Sequence, residues 1–169
     1  GAFVSVACPD WIVKYKAGKI FLFEEPPTLP THWTTCDHSF NDLVSTPSSV
    51  DGFIIPGGIF SNMGVLRNDD NLASLLAALK KKGSTWIGLF GEGQQILLRV
   101  PLIDLETNFG SCLNTRIDLN NCGWSATDMR SIVTSGRTVL GWNYGTGTSK
   151  ERGLRNFISS FDNITATTP

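Results

Sequence analysis

Apolar residues along this chain fall into short runs of strand length and one longer stretch with helical spacing. Strands are predicted where such runs are followed by proline or glycine, at Phe3–Cys8, Lys19–Phe23 and Asp51–Gly58. Leucines recur at positions 72, 75, 76 and 79, between two acids and the lysine run before Gly83. This spacing predicts an amphipathic helix over Asn71–Gly83.

The second half of the chain continues the alternation of strand and helix. Further strands are predicted at Thr85–Phe90, at Cys112–Leu119 as an edge strand, and at Thr138–Asn143. A final helix is predicted over Ser149–Phe161, where Thr148 and Glu151 have the spacing of a capping box. Helices and strands in alternation favour an α/β sandwich, with a mostly parallel sheet covered on both faces.

Two segments near the amino terminus are less regular. The connection Pro9–Gly18 is barely long enough for a crossover helix, so a hairpin with Trp11–Tyr15 as a strand is an equal alternative. Residues 26–49 are rich in proline, threonine and serine. We therefore expect them to cross the surface as a loop with little regular structure.

The stretch Trp86–Leu98 is the strongest indication of a functional site. An apolar strand ends there in a glycine-rich corner, Gly91-Glu92-Gly93, and the chain resumes as an apolar helix. In α/β enzymes this arrangement lifts a nucleophile out of the sheet and directs backbone N–H groups at an oxyanion. The corner contains no Cys, Ser or Thr, so it is predicted to be a catalytic elbow without its nucleophile.

Composition excludes several classes of partner. The length of 169 residues fits one domain, residues 1–169, with a sizeable core. A net charge of -1 gives no electrostatic footprint for nucleic acid. No run approaches the roughly 20 apolar residues of a membrane span, and the first residues lack the pattern of a signal peptide. We expect neither nucleic acid nor membrane as a partner.

The cysteines bear on the compartment. Four of them are scattered without a C-x-x-C pair, at Cys8, Cys36, Cys112 and Cys122. A disulfide scaffold would be shorter and denser in cysteine, so the pattern favours an intracellular, reducing location, either the cytoplasm or an organelle matrix such as the mitochondrion. Asn163-Ile164-Thr165 is a glycosylation sequon, but such triplets are common and change this expectation little.

Three motifs in order resemble the ThiJ/PfpI superfamily, which has the class I glutamine amidotransferase-like fold. The run Asp51–Gly58 resembles the family's strand end in Pro-Gly-Gly, and Leu89–Leu97 resembles its nucleophile elbow. Gly145–Ser149 resembles its closing Gly-Pro-Gly-Thr-Ser segment. The resemblance implies a flavodoxin-like three-layer sandwich, in which the first crossover helix is here shortened or replaced by a hairpin.

Gly93 and Gln95 match the Gly and Gln of the family's elbow motif. In this alignment Gly91 takes the position of the nucleophilic cysteine. Glu92 then stands where the family has the residue beside that cysteine. The family also has an early acidic residue that hydrogen-bonds the thiol, and Asp10 is the one acid available in Pro9–Gly18.

A second register, taken from the class I glutamine amidotransferases, gives the same result. Aligning Gln94 with their elbow glutamine puts Phe90 at the cysteine position, while Gly145 and Gly147 take the places of the late His and Glu. In both alignments the cysteine whose thiolate is the nucleophile in these families is absent. The resemblance therefore implies that cysteine-dependent catalysis is absent.

Other residues remain as candidates for chemistry. Glu92 is either a general base or ligand anchor, or an acid that caps its own helix. Cys8 ends the first strand and is either a substitute nucleophile or a small buried residue. The backbone N–H groups of Gly57, Gly58 and Glu92 are candidate oxyanion donors, although glycine also serves tight turns.

No cofactor or metal ion is expected. His32 and His38 lie in or beside the polar loop, where Cys36-Asp37-His38 contains metal-capable atoms but no partner cluster is visible. Neither histidine follows the elbow, so no Ser-His-Asp arrangement is available.

The sequence thus predicts a catalytically inactive ThiJ/PfpI-like domain that acts as a structural or protein-interaction subunit. We expect a protein partner or a homo-oligomer. One alternative is an enzyme of altered mechanism, a hydrolase or lyase of glyoxalase- or deglycase-like activity that uses Glu92 or Cys8. Another is a sensor that binds a small ligand.

Overall fold

The computed structural model describes residues 3–10, 19–21, 33–57, 60–103, 132–141 and 148–168. The strands in these ranges are β1 Ala7–Cys8, β2 Lys19–Phe21, β3 Trp33–Thr35, β4 His38–Ser39, β5 Gly52–Ile55, β6 Trp86–Phe90, β7 Ile132–Ser135 and β8 Thr138–Gly141. The α-helices are α1 Phe40–Ser45, α2 Phe60–Arg67, α3 Asp70–Lys82 and α4 Thr148–Thr167. Two 3₁₀ helices occupy Pro47–Ser49 and Gly91–Leu98.

The larger sheet has the strand order β5-β6-β8-β7. Strand β6 is parallel to both β5 and β8, whereas β7 pairs antiparallel with β8. Two smaller sheets join β1 to β4 in parallel and β2 to β3 antiparallel. The predicted fold class, a flavodoxin-like α/β architecture with a mostly parallel sheet, is confirmed.

Alternating side chains of β6 separate two layers of core. Ile87 and Leu89 enter a cluster with α1, α2 and α3, whereas Trp86 and Phe90 enter a second cluster with α4. Successive side chains of a strand point to opposite faces, so β6 is buried on both sides. This double burial explains why its sequence is a continuous apolar run instead of an alternating one.

The predicted helix and strands around the elbow are confirmed. Helix α3 begins after Asp69, whose side chain accepts a 2.8 Å hydrogen bond from the Leu72 N–H, and it ends at Gly83 with a φ of 75°. Strands β6 and β8 lie within two residues of their predicted bounds, and β5 lies inside the predicted Asp51–Gly58. The last helix is longer than predicted and runs to Thr167.

The expectation of a loop with little regular structure over residues 26–49 is wrong. Strands β3 and β4, helix α1 and a 3₁₀ turn lie within it. Helix α1 is stabilised by burial of Phe40 and Leu43 and by the Ser39 hydroxyl, which accepts from the Asp42 N–H at 3.1 Å. Helix α2 and strand β7 are also absent from the predicted elements.

Strand β1 is shorter than the predicted Phe3–Cys8, because only Ala7–Cys8 pair with β4. Its last residue forms a disulfide with Cys36, which precedes β4. The expectation that both cysteines are reduced is therefore wrong, and the argument for a reducing compartment loses its basis. Bonding residues 28 positions apart stabilises the fold by about 3–4 kcal/mol through loss of unfolded-chain entropy.

Several predicted features lie outside the described residues. They are the Trp11–Tyr15 strand and its turn, the strand at Cys112–Leu119, the side chains of the Thr148 and Glu151 capping box, and the residues His32, Gly58, Cys112, Cys122, Gly145 and Gly147. Among the helices that the structure describes, none combines the length and the apolar character needed to cross a lipid bilayer.

Helix α4 packs on the sheet through Phe161, which lies over two glycines. A Cβ atom added at Gly88 would approach the Phe161 ring to 3.0 Å and the Ile54 side chain to 3.2 Å. At Gly52 the nearest atom of the same ring would be 3.5 Å away, an ordinary contact. Gly88 therefore sets how closely α4 approaches the sheet.

We predict that Gly88→Ala lowers the free energy of unfolding by about 1–3 kcal/mol, because the added methyl overpacks this contact. Gly52→Ala, the matched control, should stay within about 0.5 kcal/mol of the parent protein. Urea denaturation of the three proteins provides the measurement. Equal stability of the two variants would show that α4 is not seated on Gly88 as described.

Candidate functional site

The glycine corner lies at the carboxyl end of β6, between the ends of β5 and β8. Gly91 has a φ of 55°, in the left-handed region that glycine tolerates. A Cβ atom built at Gly91 meets nothing within 4 Å. The backbone thus turns sharply at Gly91, and the position of a side chain there opens into free space.

The chain continues from the corner as a 3₁₀ helix over Gly91–Leu98, which we call the elbow helix. The predicted apolar helix is therefore present, in the tighter 3₁₀ form. Ile96 and Leu97 are buried in the core cluster on the α2 and α3 side. The elbow helix also packs against α2. The core cluster and α2 therefore hold the corner in place.

Phe90, the cysteine position in the second register, belongs to the other layer. Its ring lies 5.3 Å from the Phe157 ring of α4, centroid to centroid, and 9% of the residue is exposed. The side chain is part of the core beneath α4. An apolar ring in that position supplies packing and no reactive group.

Two glycines allow β5 and the corner to meet backbone to backbone. A Cβ atom at Gly57 would lie 2.8 Å from the Phe90 carbonyl oxygen, and one at Gly93 would lie 2.6 Å from the Ile55 carbonyl oxygen. The same Gly57 position is 3.6 Å from the backbone nitrogen of Glu92. Gly57 and Glu92, two candidate oxyanion donors, are therefore neighbours. Close backbone packing explains why positions 57 and 93 are glycine.

The Glu92 carboxylate is bound within a chain of polar side chains. Its Oε2 accepts a 2.6 Å hydrogen bond from Gln95 Nε2, and Gln95 Oε1 accepts from the Arg67 guanidinium at 3.4 Å. Gln95 is fully buried, whereas Glu92 is half-buried. Sequence reasoning did not identify Arg67, because nothing in the sequence links α2 to the corner.

Gln94 has a different structural role. It is 1% exposed, and its Nε2 donates a 2.9 Å hydrogen bond to the Gly141 carbonyl at the end of β8. The two glutamines that define the alternative family registers thus tie the elbow helix to α2 and to β8. Both buried amides have hydrogen-bond partners, as buried polar groups generally require.

Cys8 and Asp10 do not supply the missing chemistry. Cys8 is fully buried and its sulfur is in the disulfide. It has no free thiolate, so its candidate role as a substitute nucleophile is wrong. The Asp10 carboxylate accepts from the Asn71 side-chain amide at 2.7 Å and from the Asn41 N–H at 3.3 Å. It links the beginnings of α1 and α3.

A cavity of about 420 Å³ lies at the opposite edge of the sheet, where β6 and β8 begin. Its walls include Thr85, Ile87 and Thr138, with Lys80 and Arg137 among its cationic residues. Lys80 donates to the Pro101 carbonyl, and the Arg137 guanidinium lies 4.9 Å from the centre of the Trp86 ring. No elbow residue lines this cavity.

We predict that Glu92→Ala lowers the free energy of unfolding by about 1–3 kcal/mol, because the buried Gln95 amide loses its acceptor. Glu92→Gln retains an acceptor oxygen and should cost less than half as much. Chemical denaturation of both variants measures the difference. If Glu92→Ala is as stable as the parent protein, the carboxylate has no structural role and its function has to be sought in ligand binding.

Comparisons with known proteins leave the family open. No protein-family model matches the chain, and no curated protein matches it. Among solved structures, it is similar to a mutant of DJ-1 from Schizosaccharomyces pombe, with 17% sequence identity and a TM-score of 0.48. That similarity covers 82% of this chain and 75% of the other. The fold is therefore assigned from the sheet topology itself.

Proposed function

We propose that this chain is a catalytically inactive domain of the ThiJ/PfpI type, acting as a structural or protein-interaction subunit. The observation that carries the proposal is Gly91, which makes the left-handed elbow turn without any side chain. Covalent chemistry at such an elbow requires a thiolate or an activated hydroxyl. Neither group is present at Gly91 or at Phe90, the two positions that the motifs indicate.

The remaining reactive group at the corner is held by a structural contact. Glu92 Oε2 is engaged by the buried Gln95 amide, which is itself bound by Arg67. A general base has to reach the substrate proton within hydrogen-bond distance. A carboxylate bonded to its own helix is better suited to fixing the elbow than to accepting a substrate proton.

One observation favours a second candidate, a sensor that binds a small ligand. The space beside Gly91 is open to at least 4 Å from the Cβ position. Backbone N–H groups at such a turn form a cradle for an anion or a carbonyl oxygen. Binding without turnover would convert an enzyme site into a recognition site.

Exposed apolar residues support the interaction role. Val65 on α2 and Leu98 at the end of the elbow helix are 46% and 38% exposed. The two helices that carry them pack against each other on the face opposite α4. In the proposal, this face of α2 and the elbow helix is the docking surface for a protein partner.

We predict that the metal-free, recombinant chain does not consume methylglyoxal faster than buffer, and that Gly91→Ala behaves identically. Gly91→Cys should gain one thiol that iodoacetamide alkylates rapidly, since the space at this position is open. Turnover by the unmodified chain above the Gly91→Ala control would contradict the inactive assignment. Failure of the new thiol to react would contradict the open geometry of the corner.

The same proteins separate the two candidates. A shift in the melting temperature of the unmodified chain with a carboxylate or phosphate metabolite, lost on substitution at Gly91, would favour the sensor. A ligand at 100 times its Kd adds about 2.7 kcal/mol of stability, which such a scan detects easily. Unchanged melting across the panel favours the structural role.

A further inference from the structure

Two features of the molecule have no part in the elbow, the disulfide and the sequon near the end of α4. We propose that Asn163 is the acceptor of an N-linked glycan, and that the chain matures in the oxidising compartment where the Cys8–Cys36 bond also forms. The two features lie far apart in the sequence, and both point to the same environment.

The disulfide is an integral part of the fold. Cys8 is fully buried and Cys36 is 8% exposed, and Val6 packs against the pair. The bond joins β1 to the segment leading into β4, beside the hydrogen bonds from the Asp37 and His38 N–H groups to the Val6 carbonyl. Disulfides of this kind persist in oxidising compartments and are rare in the cytosol.

The acceptor asparagine is accessible. Asn163 is exposed on α4, whereas Phe157 and Phe161 of the same helix are buried against the sheet. At about 100° per residue, Asn163 lies on the outer side of the helix, away from these rings. Within the part of the chain that the structure describes, its side-chain amide makes no hydrogen bond. The middle residue of the sequon is Ile164, which the sequon permits because it is not proline.

The folded helix indicates when the modification occurs. The Thr165 hydroxyl donates a 3.0 Å hydrogen bond to the Asp162 carbonyl, and the Asn163 carbonyl accepts from Thr167 at 2.8 Å. The sequon hydroxyl is therefore engaged by the helix backbone once α4 has formed. The glycan is added to the extended chain, before this part of α4 folds.

Glycosylation of Asn163 and formation of the disulfide each use a common co-reactant of this compartment. The Asn163 Nδ2 displaces the pyrophosphate from the anomeric carbon of a lipid-linked oligosaccharide, so a C–N bond forms and a C–O bond breaks. The amide loses one proton, and the lipid pyrophosphate leaves. At Cys8 and Cys36, two thiols lose two protons and two electrons to an oxidised thiol–disulfide exchange protein, which becomes a dithiol.

A glycan at Asn163 also restricts where a partner can bind. It would cover the outer face of α4, since a glycan is bulky and hydrated. Val65 and Leu98 lie on the other side of the sheet and stay accessible. The glycosylated face and the proposed docking surface are therefore compatible.

The test is to express the full 169-residue chain behind a cleavable secretion leader in cultured eukaryotic cells. We expect one glycan, seen as a mobility shift that peptide-N-glycosidase removes, leaving aspartate at position 163 in the peptide mass spectrum. Asn163→Gln and Thr165→Ala should lose the glycan, and the conservative Thr165→Ser should retain it. Secretion of a folded, disulfide-bonded chain with unmodified Asn163 would overturn the proposal.

A second readout tests the compartment. Without reduction, the Cys8 and Cys36 peptides of the secreted chain should resist alkylation, and reduction should make both reactive and lower the melting temperature by several degrees. The Cys8→Ser/Cys36→Ser double variant should melt at the reduced temperature under both conditions. If reduction leaves the melting temperature of the secreted chain unchanged, the disulfide does not support the fold and the proposed oxidising route is wrong.

Discussion

The close approach of two backbone segments is the constraint on which the rest of the structure depends. The end of β5 and the corner after β6 meet with no side chain between them, because Gly57 and Gly93 occupy the contact. The contact lies where the carboxyl ends of the parallel strands β5 and β6 meet and the chain turns into the elbow helix. Close packing therefore requires glycine at positions 57 and 93.

The interactions around the corner support architecture more than catalysis. Gln94 is bonded to the end of β8, Gln95 is bonded to Glu92, and Phe90 is buried beneath α4. Gln94 and Phe90 are thus bound to neighbouring elements, and Glu92 is bound within the elbow helix. Gly91 differs from them, because it has no side chain and open space lies at its Cβ position.

Elements with a strong apolar periodicity could be predicted from the sequence. Elements that depend on one or two buried residues could not. Helix α3 and strands β5, β6 and β8 have long apolar repeats and clear end signals, so their positions were predictable. Helix α1 has only Phe40 and Leu43 as buried anchors within a polar segment. The Cys8–Cys36 bond and the contact of Arg67 with Gln95 depend on tertiary proximity, which residue spacing does not encode.

The free energy of unfolding of Gly93→Ala tests the central claim most directly. The added methyl would lie 2.6 Å from the Ile55 carbonyl oxygen, so we expect a loss of about 2–3 kcal/mol. Gly64→Ala is the matched control, because its methyl meets nothing within 4 Å in α2 and should add up to about 1 kcal/mol. A Gly93→Ala variant as stable as the parent protein would contradict the account, since the corner would then not be held by backbone contact.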